Sequence, residues 1–267
     1  MDRNEKIMDE DNKVESTLYR RHNFTTDIDM IKNVPIIEYD MKEAGFNLLK
    51  WRGYFSDKQL EHLNSISKQE RSEEIGKLQR GDSGLSRLLM ESFVEARRMF
   101  FEANDIQDYE VISIKKDAIL TIKRCRYTEL NEFINFREKN AYIGYIKLMK
   151  DKEFYYDGKN SRFDIKGFSK DVVEHHNGYL FKELLMIFTK LINGYDSYID
   201  DLMYLKHDFC AFELDKGYYK DVLFDKYIIR TFSNRLMECD DIENDMKKNC
   251  FNNNNLNFIL SMLNVLL

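Results

Sequence analysis

The segment Val34–Leu49 changes from a strand pattern to a helix pattern around one acidic residue, and no other feature constrains the fold as strongly. Val34–Tyr39 is an apolar run rich in β-branched residues, as in a strand. Asp40 follows directly, and between Ala44 and Trp51 the apolar residues recur on one side of a helix. This transition places a carboxylate where a strand gives way to a helix.

A second segment, Val111–Ile122, carries an acid between two short apolar runs. Only three polar residues, Lys115–Asp117, separate the two runs. This spacing predicts two strands joined by a tight turn that contains Asp117.

Asp40 ends one predicted strand, and Asp117 lies in the turn between two others. Two carboxylates in such positions are the minimum needed to hold two divalent cations over a phosphate. We therefore predict that both are catalytic and bind metal. A structural alternative exists for each residue. Asp40 is also placed to be a helix N-cap, and Asp117 to be at a solvated hairpin tip.

Between the two acids the pattern is almost wholly helical. Ser56 and Ser67 stand at helix starts, Gly53 ends the helix that follows Asp40, and Leu85–Ala103 is a long amphipathic segment. After Asp117 the pattern favours strands at short spacing, which indicates an antiparallel meander. The predicted strands are Val111–Ile114, Ala118–Ile122, Phe133–Phe136, Ala141–Met149, Glu153–Tyr156 and Arg162–Phe168.

Helical patterns return after Ser169, over about 170–193, 196–208 and 215–247, and a short apolar helix ends the chain after the loop Asn252–Asn255. The order of strand, helices, sheet and helices predicts an α+β fold. We expect a polar arm over 1–31, a domain over 32–168 with a helical insertion at about 53–104, and a helical region over 169–267.

Composition limits the classes of protein that this chain can represent. Hydrophobic residues make up 43% and charged residues 33%, as in a soluble globular protein. The formal net charge of −6 argues against a protein that binds phosphate backbones through an overall basic surface. Contact with nucleic acid would then be local, or assisted by another subunit.

The four cysteines lack the spacing of metal ligands and the density of a disulfide scaffold, which indicates reduced thiols in a cytoplasmic protein. The charged start, Met1–Val14, is unlike a signal peptide, and no apolar run reaches membrane length. A single proline and abundant Asn, Lys and Ile suggest an A+T-rich genome, such as that of a phage or a low-G+C bacterium.

The order of these motifs resembles the palm domain of template-dependent polymerases, either family A or B DNA polymerases or single-subunit phage RNA polymerases. Tyr39–Gly45 is similar to motif A, and Lys68–Gly76 is similar to motif B in the placement of its Lys and Gly. Ile114–Leu120 resembles motif C. Ser72 and Ile75 depart from the Asn and Tyr that are usual in motif B.

The resemblance implies a reduced palm with an antiparallel sheet, helices inserted between the acidic motifs, and a thumb-like helical region. Asp40 and Asp117 would hold Mg²⁺ or Mn²⁺, while Lys68 and Arg71 would bind a nucleoside triphosphate. Gly45 would lie beside the sugar of the nucleotide, where a glycine admits a ribose 2′-hydroxyl. A solvated helix face is the alternative for Lys68 and Arg71, and close packing is the alternative for Gly45.

Basic residues flank Asp117 and form the best candidate surface for nucleic acid in an acidic protein. They are Lys115, Lys116, Lys123, Arg124 and Arg126. A solvated hairpin is their alternative interpretation.

Three functions remain open from the sequence. The first is a compact nucleotidyltransferase that uses template, primer and nucleoside triphosphates, with a further replication or transcription subunit as a possible partner. The second is a palm-derived module without catalysis that binds nucleic acid or such a subunit. The third is a phage structural or host-interaction protein.

Overall fold

The computed structural model describes residues 16–211, 213–220, 228–231, 236–238, 250–251 and 253–267. This part of the chain is α+β, as the sequence predicts. It divides into two compact units. Unit 1 contains the residues up to Thr26 and Ile37–Asn140, and unit 2 contains Asp27–Ile36 and Ala141–Leu267.

Seven strands form a sheet, and the sequence correctly predicts its antiparallel character. The strands are β1 (Asn23–Thr25), β2 (Met30–Met41), β3 (Val111–Lys115), β4 (Ala118–Thr121), β5 (Phe136–Met149), β6 (Lys152–Asp157) and β7 (Arg162–Lys166). Their order is β1-β3-β4-β2-β5-β6-β7. Unit 1 holds β1, β3 and β4 with the end of β2 and the start of β5, and unit 2 holds the rest.

Four helices of unit 1 lie between β2 and β3 in sequence. They are α1 (Ala44–Trp51), α2 (Asp57–Ser65), α3 (Lys68–Gly81) and α4 (Ser83–Asn104). Ser56 and Ser67 precede α2 and α3 in capping boxes with Gln59 and Glu70, which satisfy free N–H groups of the first turns. Gly53 follows α1 with φ +64°, a conformation that ends a helix at little cost for glycine.

The core of unit 1 forms where the apolar stripe of α4 meets the sheet. Tyr39, Phe100 and Phe136 are buried there, with ring centroids 5.4 Å apart for the first pair and 4.3 Å for the second. Ile114 and Ile119 of the hairpin belong to the same cluster. Burial of these apolar side chains fixes which face of β2 points at the helices.

In its described residues, unit 2 builds its own core between its strands and four helices. The helices are α5 (Lys170–His176), α6 (Leu180–Ile192), α7 (Tyr198–Ala211) and α8 (Asn253–Leu266). Phe154 lies against Phe181 and Phe258, with ring centroids 5.2 and 6.0 Å away. Leu184 and Phe188 of α6 complete the centre of this cluster.

The predicted elements differ from the structure in several places. Residues 16–31, expected in an arm, contain a one-turn 3-10 helix (Leu18–Arg20), all of β1 and the start of β2. The two strands predicted over 133–149 are one continuous strand, β5. The loop predicted over 252–255 already contains the start of α8.

The helix predicted over 215–247 is not formed in the described part of that range. After a one-turn 3-10 helix (Lys216–Tyr219), the chain forms β8 (Ile228–Thr231), β9 (Leu236–Glu238) and β10 (Cys250–Phe251). In this second sheet β8 is central and pairs antiparallel with both β9 and β10. The β-branched residues of β8 favour a strand over a helix. Residues 221–227, 232–235 and 239–249 lie outside the described residues.

Candidate functional site

Asp40 lies at the end of β2, one residue before the strand ends. The alternation of the strand buries Ile37, Tyr39 and Met41 in the core and turns Asp40 to the other face. Its side chain is only 16% exposed. The N-cap of α1 is Glu43, with φ +45°, so Asp40 is not the N-cap of the helix that follows it.

Asp117 lies in the two-residue turn Lys116–Asp117 between β3 and β4. In the antiparallel pairing of β2 with β4, Asp40 is opposite Ala118. The N–H of Met41 donates to the carbonyl oxygen of Asp117 over 3.0 Å. The two acids that the sequence singles out are therefore brought to the same end of the sheet.

The carboxyl group of Asp117 is in an unfavourable place for a negative charge. Burial raises its pKa above the usual value, and the negative charge of Asp40 raises it further. Lys139 and Lys116 partly oppose this rise. A positive charge between the two acids would remove the repulsion, which is a property expected of a cation site.

Two basic residues that the sequence analysis did not select lie beside Asp40. Arg137 Nη2 is 3.2 Å from Asp40 Oδ2, and Lys139 Nζ is 3.9 Å from Asp40 Oδ1. Lys139 is also 3.7 Å from Glu38 Oε1. The alternating charges of residues 137–139 in an otherwise apolar region were the available signal, but they do not reveal a partner about 100 residues away.

A cavity of about 660 Å³ opens beside the two acids. The end of β2, the Lys116–Asp117 turn, α1, α3 and α4 form its walls. Its charged lining residues are Asp40, Glu43, Lys68, Arg71, Arg80, Lys116 and Asp117. Apolar residues Ile75, Leu89 and Phe93 line another part of it. All predicted catalytic and nucleotide-binding residues are thus on one cavity.

Lys68 and Arg71 occupy different environments although both line the cavity. Lys68 is exposed in the first turn of α3. Arg71 donates to the carbonyl oxygens of Leu63 and Ile66, over 2.8 and 3.3 Å, and its Nη1 is 3.3 Å from the carboxylate of Glu43. Arg71 thereby holds the junction of α2 and α3 against the start of α1, and Lys68 is the freer cation.

Gly45 lines the cavity in the first turn of α1. A Cβ added there would meet only Ile75 Cγ2, at 3.8 Å, which is an ordinary contact. Close backbone packing therefore does not require glycine at this position. The absence of a side chain at Gly45 leaves open space beside Ile75.

The five basic residues predicted to bind nucleic acid are not brought together. Lys115 and Lys116 are at the turn end of β4, whereas Lys123, Arg124 and Arg126 follow its other end. Lys123 Nζ is 3.3 Å from Glu110 Oε2, and Arg124 Nη2 is 3.8 Å from Glu138 Oε2. Basic residues that do act on the acids include Arg137 and Lys139 beside Asp40, and Lys116 and Lys139, whose charges act on Asp117.

The donor set at the two acids fits a cation that a substrate helps to hold. Mg²⁺ is commonly bound by one or two carboxylates together with substrate phosphates and water. In the described residues, three close donors of metal-binding type occur together only at His207, Asp208 and Glu213 of unit 2, where His207 and Glu213 are exposed. Asp40 and Asp117 would supply two carboxylates to such an ion, which is a partial ligand set and not a closed protein cage.

A comparison with family models identifies the relatives of this chain. The model described as the Bacteriophage PBS1 gene 130 protein matches residues 14–267. The chain belongs to this family. The phage origin suggested by its Asn, Lys and Ile content is confirmed. A comparison with curated proteins gives no match. Among the described helices, none is long and apolar enough to cross a membrane.

Proposed function

We propose that unit 1 is a nucleotidyltransferase domain that binds a nucleoside triphosphate in the 660 Å³ cavity and transfers its nucleotidyl group to a nucleic-acid 3′-hydroxyl. The observation that carries the proposal is the meeting of Asp40 and Asp117, from two neighbouring strands, on a cavity that also presents basic side chains. Two carboxylates and nearby cations are what phosphoryl transfer requires.

The size and lining of the cavity support a nucleotide as the ligand. Its volume is within the range of roughly 300–1,000 Å³ typical of small-molecule sites. Lys68, Arg80 and Lys116 provide positive charge for a triphosphate. Ile75 and Phe93 provide an apolar surface for a base.

The arrangement of strands supports the palm resemblance. One acid ends β2, the other is in the turn of the neighbouring β3–β4 hairpin, and the intervening chain is helical. The resemblance implies this placement for motifs A and C. Template and primer would then approach the end of the sheet where Asp40 and Asp117 lie.

The chain's own residues have distinct tasks in the proposed reaction. Asp40 and Asp117 would hold Mg²⁺ or Mn²⁺, which when bound supplies charge neutralisation at the phosphates and a more acidic 3′-hydroxyl. Lys68 and Lys116 draw the triphosphate to the acids. The 3′-oxygen then bonds to the α-phosphorus, the bond to the bridging oxygen breaks, pyrophosphate leaves, and the hydroxyl proton passes to water.

A second candidate is a nucleotide-binding or nucleic-acid-binding module without catalysis. It is favoured by the ion pairs of Asp40 with Arg137 and Lys139, which already place positive charge beside this acid. In such a module these cations would balance the acid permanently, and phosphate binding would not depend on a divalent ion.

The test measures nucleoside triphosphate binding and primer extension by the full chain with Mn²⁺ or Mg²⁺. Asp40→Asn and Asp117→Asn are each expected to lower extension by about a thousandfold, since metal coordination supplies several kcal/mol of transition-state stabilisation. Glu61→Gln is the matched control, because it removes one exposed acid of α2 that does not line the cavity.

Three results would contradict the catalytic proposal. Binding that is independent of divalent ions, without extension, would favour the binding module. A chain that binds no nucleotide would point to a phage structural or host-interaction role. Primer extension by both Asn variants at the rate of the native protein would assign the activity to a contaminating polymerase.

A further inference from the structure

We infer that Arg97 is the positioning residue for the Lys116–Asp117 turn and joins the N-terminal segment Tyr19–His22 to it. Arg97 belongs to α4, is 1% exposed and does not line the cavity. The inference rests on the proposed function, because a turn that carries a metal-binding acid must be held in one orientation.

The guanidinium group of Arg97 makes three hydrogen bonds to one small region of unit 1. Nη1 donates to the carbonyl oxygen of Lys116 over 2.5 Å, and Nε donates to that of Tyr19 over 2.8 Å. Nη2 lies 3.3 Å from Nδ1 of His22. Burial and the positive charges of Arg97 and Lys116 lower the pKa of His22, so its neutral ring can accept this bond.

The turn held by Arg97 has a strained backbone. Lys116 has φ +54°, in the left-handed region that residues with a side chain rarely adopt. Such a conformation persists only where the surroundings impose it. The N–H of Lys116 donates to the carbonyl oxygen of His22 over 2.8 Å, and its carbonyl oxygen accepts from Arg97.

Both polar backbone groups of Lys116 are therefore fixed, and one of them belongs to the peptide unit that leads into Asp117. This peptide unit sets the direction in which the Asp117 side chain leaves the backbone. Arg97 thus controls the direction of the carboxylate through the backbone, without itself lining the cavity.

The buried charge of Arg97 lowers the stability of the fold, because a charged group loses its hydration on burial. Burial lowers the pKa of Arg97 to about 10, and the negative charge of Asp117 opposes that change, so the group is charged near pH 7. Its planar fork of donors can reach three acceptors on two chain segments, which a lysine cannot do in the same geometry. The charge and the fork together explain why an arginine occupies the space between α4, the turn and the N-terminal segment.

The experiment compares Arg97→Lys with Asn104→Ala, which changes a second buried polar residue of α4 that accepts from the backbone of Arg126, in the segment after β4. Amide hydrogen exchange of the peptide containing Lys116 and the affinity for Mn²⁺ with a nucleoside triphosphate are measured in both variants. Arg97→Lys is expected to speed exchange at the turn and to weaken binding by about tenfold. Asn104→Ala is expected to lower the melting temperature without either change.

A double-mutant cycle with Lys116→Gly separates positioning from a general loss of stability. Glycine adopts positive φ without strain, so Arg97→Lys should weaken binding less when glycine is at position 116. An equal effect in both backgrounds would overturn the inference. Unchanged exchange at the turn in Arg97→Lys would also overturn it. Faster exchange in a chain that binds no nucleotide would uphold the positioning role and contradict the proposed function.

Discussion

Helix α4 holds the turn before β4 and the segment that follows β4 through chemically different side chains. At the turn end, Arg97 donates to the backbone of Lys116. Beyond the other end, in the segment that follows β4, Asn104 accepts from the N–H groups of Arg126 and Tyr127, both over 2.9 Å, and donates to the carbonyl oxygen of Tyr127 over 2.8 Å. Both residues of α4 are buried.

The use of a neutral amide in one place and a buried charge in the other shows which part of unit 1 contains more than stability requires. A neutral amide suffices to hold a chain segment at one end of β4. At the other end the protein keeps a buried charge, a strained lysine and an acid in an unfavourable environment. Such features cost stability and are common at functional sites, which agrees with the proposal that the turn end is the ligand-binding part of unit 1.

The largest effect on stability is expected at the neutral end. Asn104→Ala leaves the N–H groups of Arg126 and Tyr127 without their acceptor and should lower the free energy of unfolding by about 2–3 kcal/mol. Urea denaturation measures the change. Asn131→Ala, which also removes an acceptor of two backbone N–H groups but from an exposed side chain, should cost less than about 1 kcal/mol. Similar losses of unfolding free energy in the two variants would mean that the burial of Asn104 does not increase the contribution of its hydrogen bonds to stability.

At the turn end, removal of the acid should stabilise the protein. Burial raises the pKa of Asp117 in the folded state above its unfolded value, so the charged carboxylate destabilises the fold at pH 7. Asp117→Asn is expected to raise the free energy of unfolding at pH 7 by about 1 kcal/mol, because it removes a buried charge that opposes folding. The gain should vanish below the usual carboxyl pKa of about 4, where the acid is protonated in both states.

Thermal unfolding between pH 4 and 8 gives this dependence on pH directly. Asp40→Asn serves as the comparison, because it loses the ion pairs with Arg137 and Lys139. It should show no gain at pH 7. A loss of stability in Asp117→Asn at pH 7 would mean that the turn end is structural like the other end.

A smaller effect, on the choice of nucleotide sugar, is expected at Gly45, which lines the same cavity as the turn. Gly45→Tyr should lower the use of ribonucleotides about tenfold relative to deoxyribonucleotides, because a ring beside Ile75 occupies space that glycine leaves open. Competition between labelled nucleotides in primer extension measures the ratio. Gly81→Tyr is the control, since a Cβ there meets nothing within 4 Å and Gly81 does not line the cavity. A native protein that strictly excludes ribonucleotides would show that Gly45 does not set sugar choice.

The smallest expected effect is on the salt dependence of nucleic-acid binding, and it distinguishes Lys116 in the turn before β4 from Lys123 after β4. Lys116→Met should reduce the slope of log affinity against log salt for single-stranded nucleic acid by about one unit, as expected for one phosphate contact. Lys123→Met should leave the slope unchanged, because its ammonium group already pairs with Glu110. Equal reductions would extend the nucleic-acid surface to both ends of β4.

Local patterns in the sequence identified much of unit 1. The serine caps of α2 and α3, the amphipathic α4 and the hairpin around Asp117 all depend on neighbours within a few residues, and each is formed. The same reasoning was weaker where elements merge or the pattern is ambiguous. It divided the long strand β5 and assigned a helix across β8 and β9.

The sequence by itself determined that two acids each stand at the end of a strand pattern, because alternation and turn spacing are local properties of a chain. Only the tertiary structure decided what surrounds them. Arg97 meets Tyr19 and Lys116, and Asp40 meets Arg137, across separations of 19 to 97 residues. Charge partners and strained turns arise from packing between distant segments, and no local period records them.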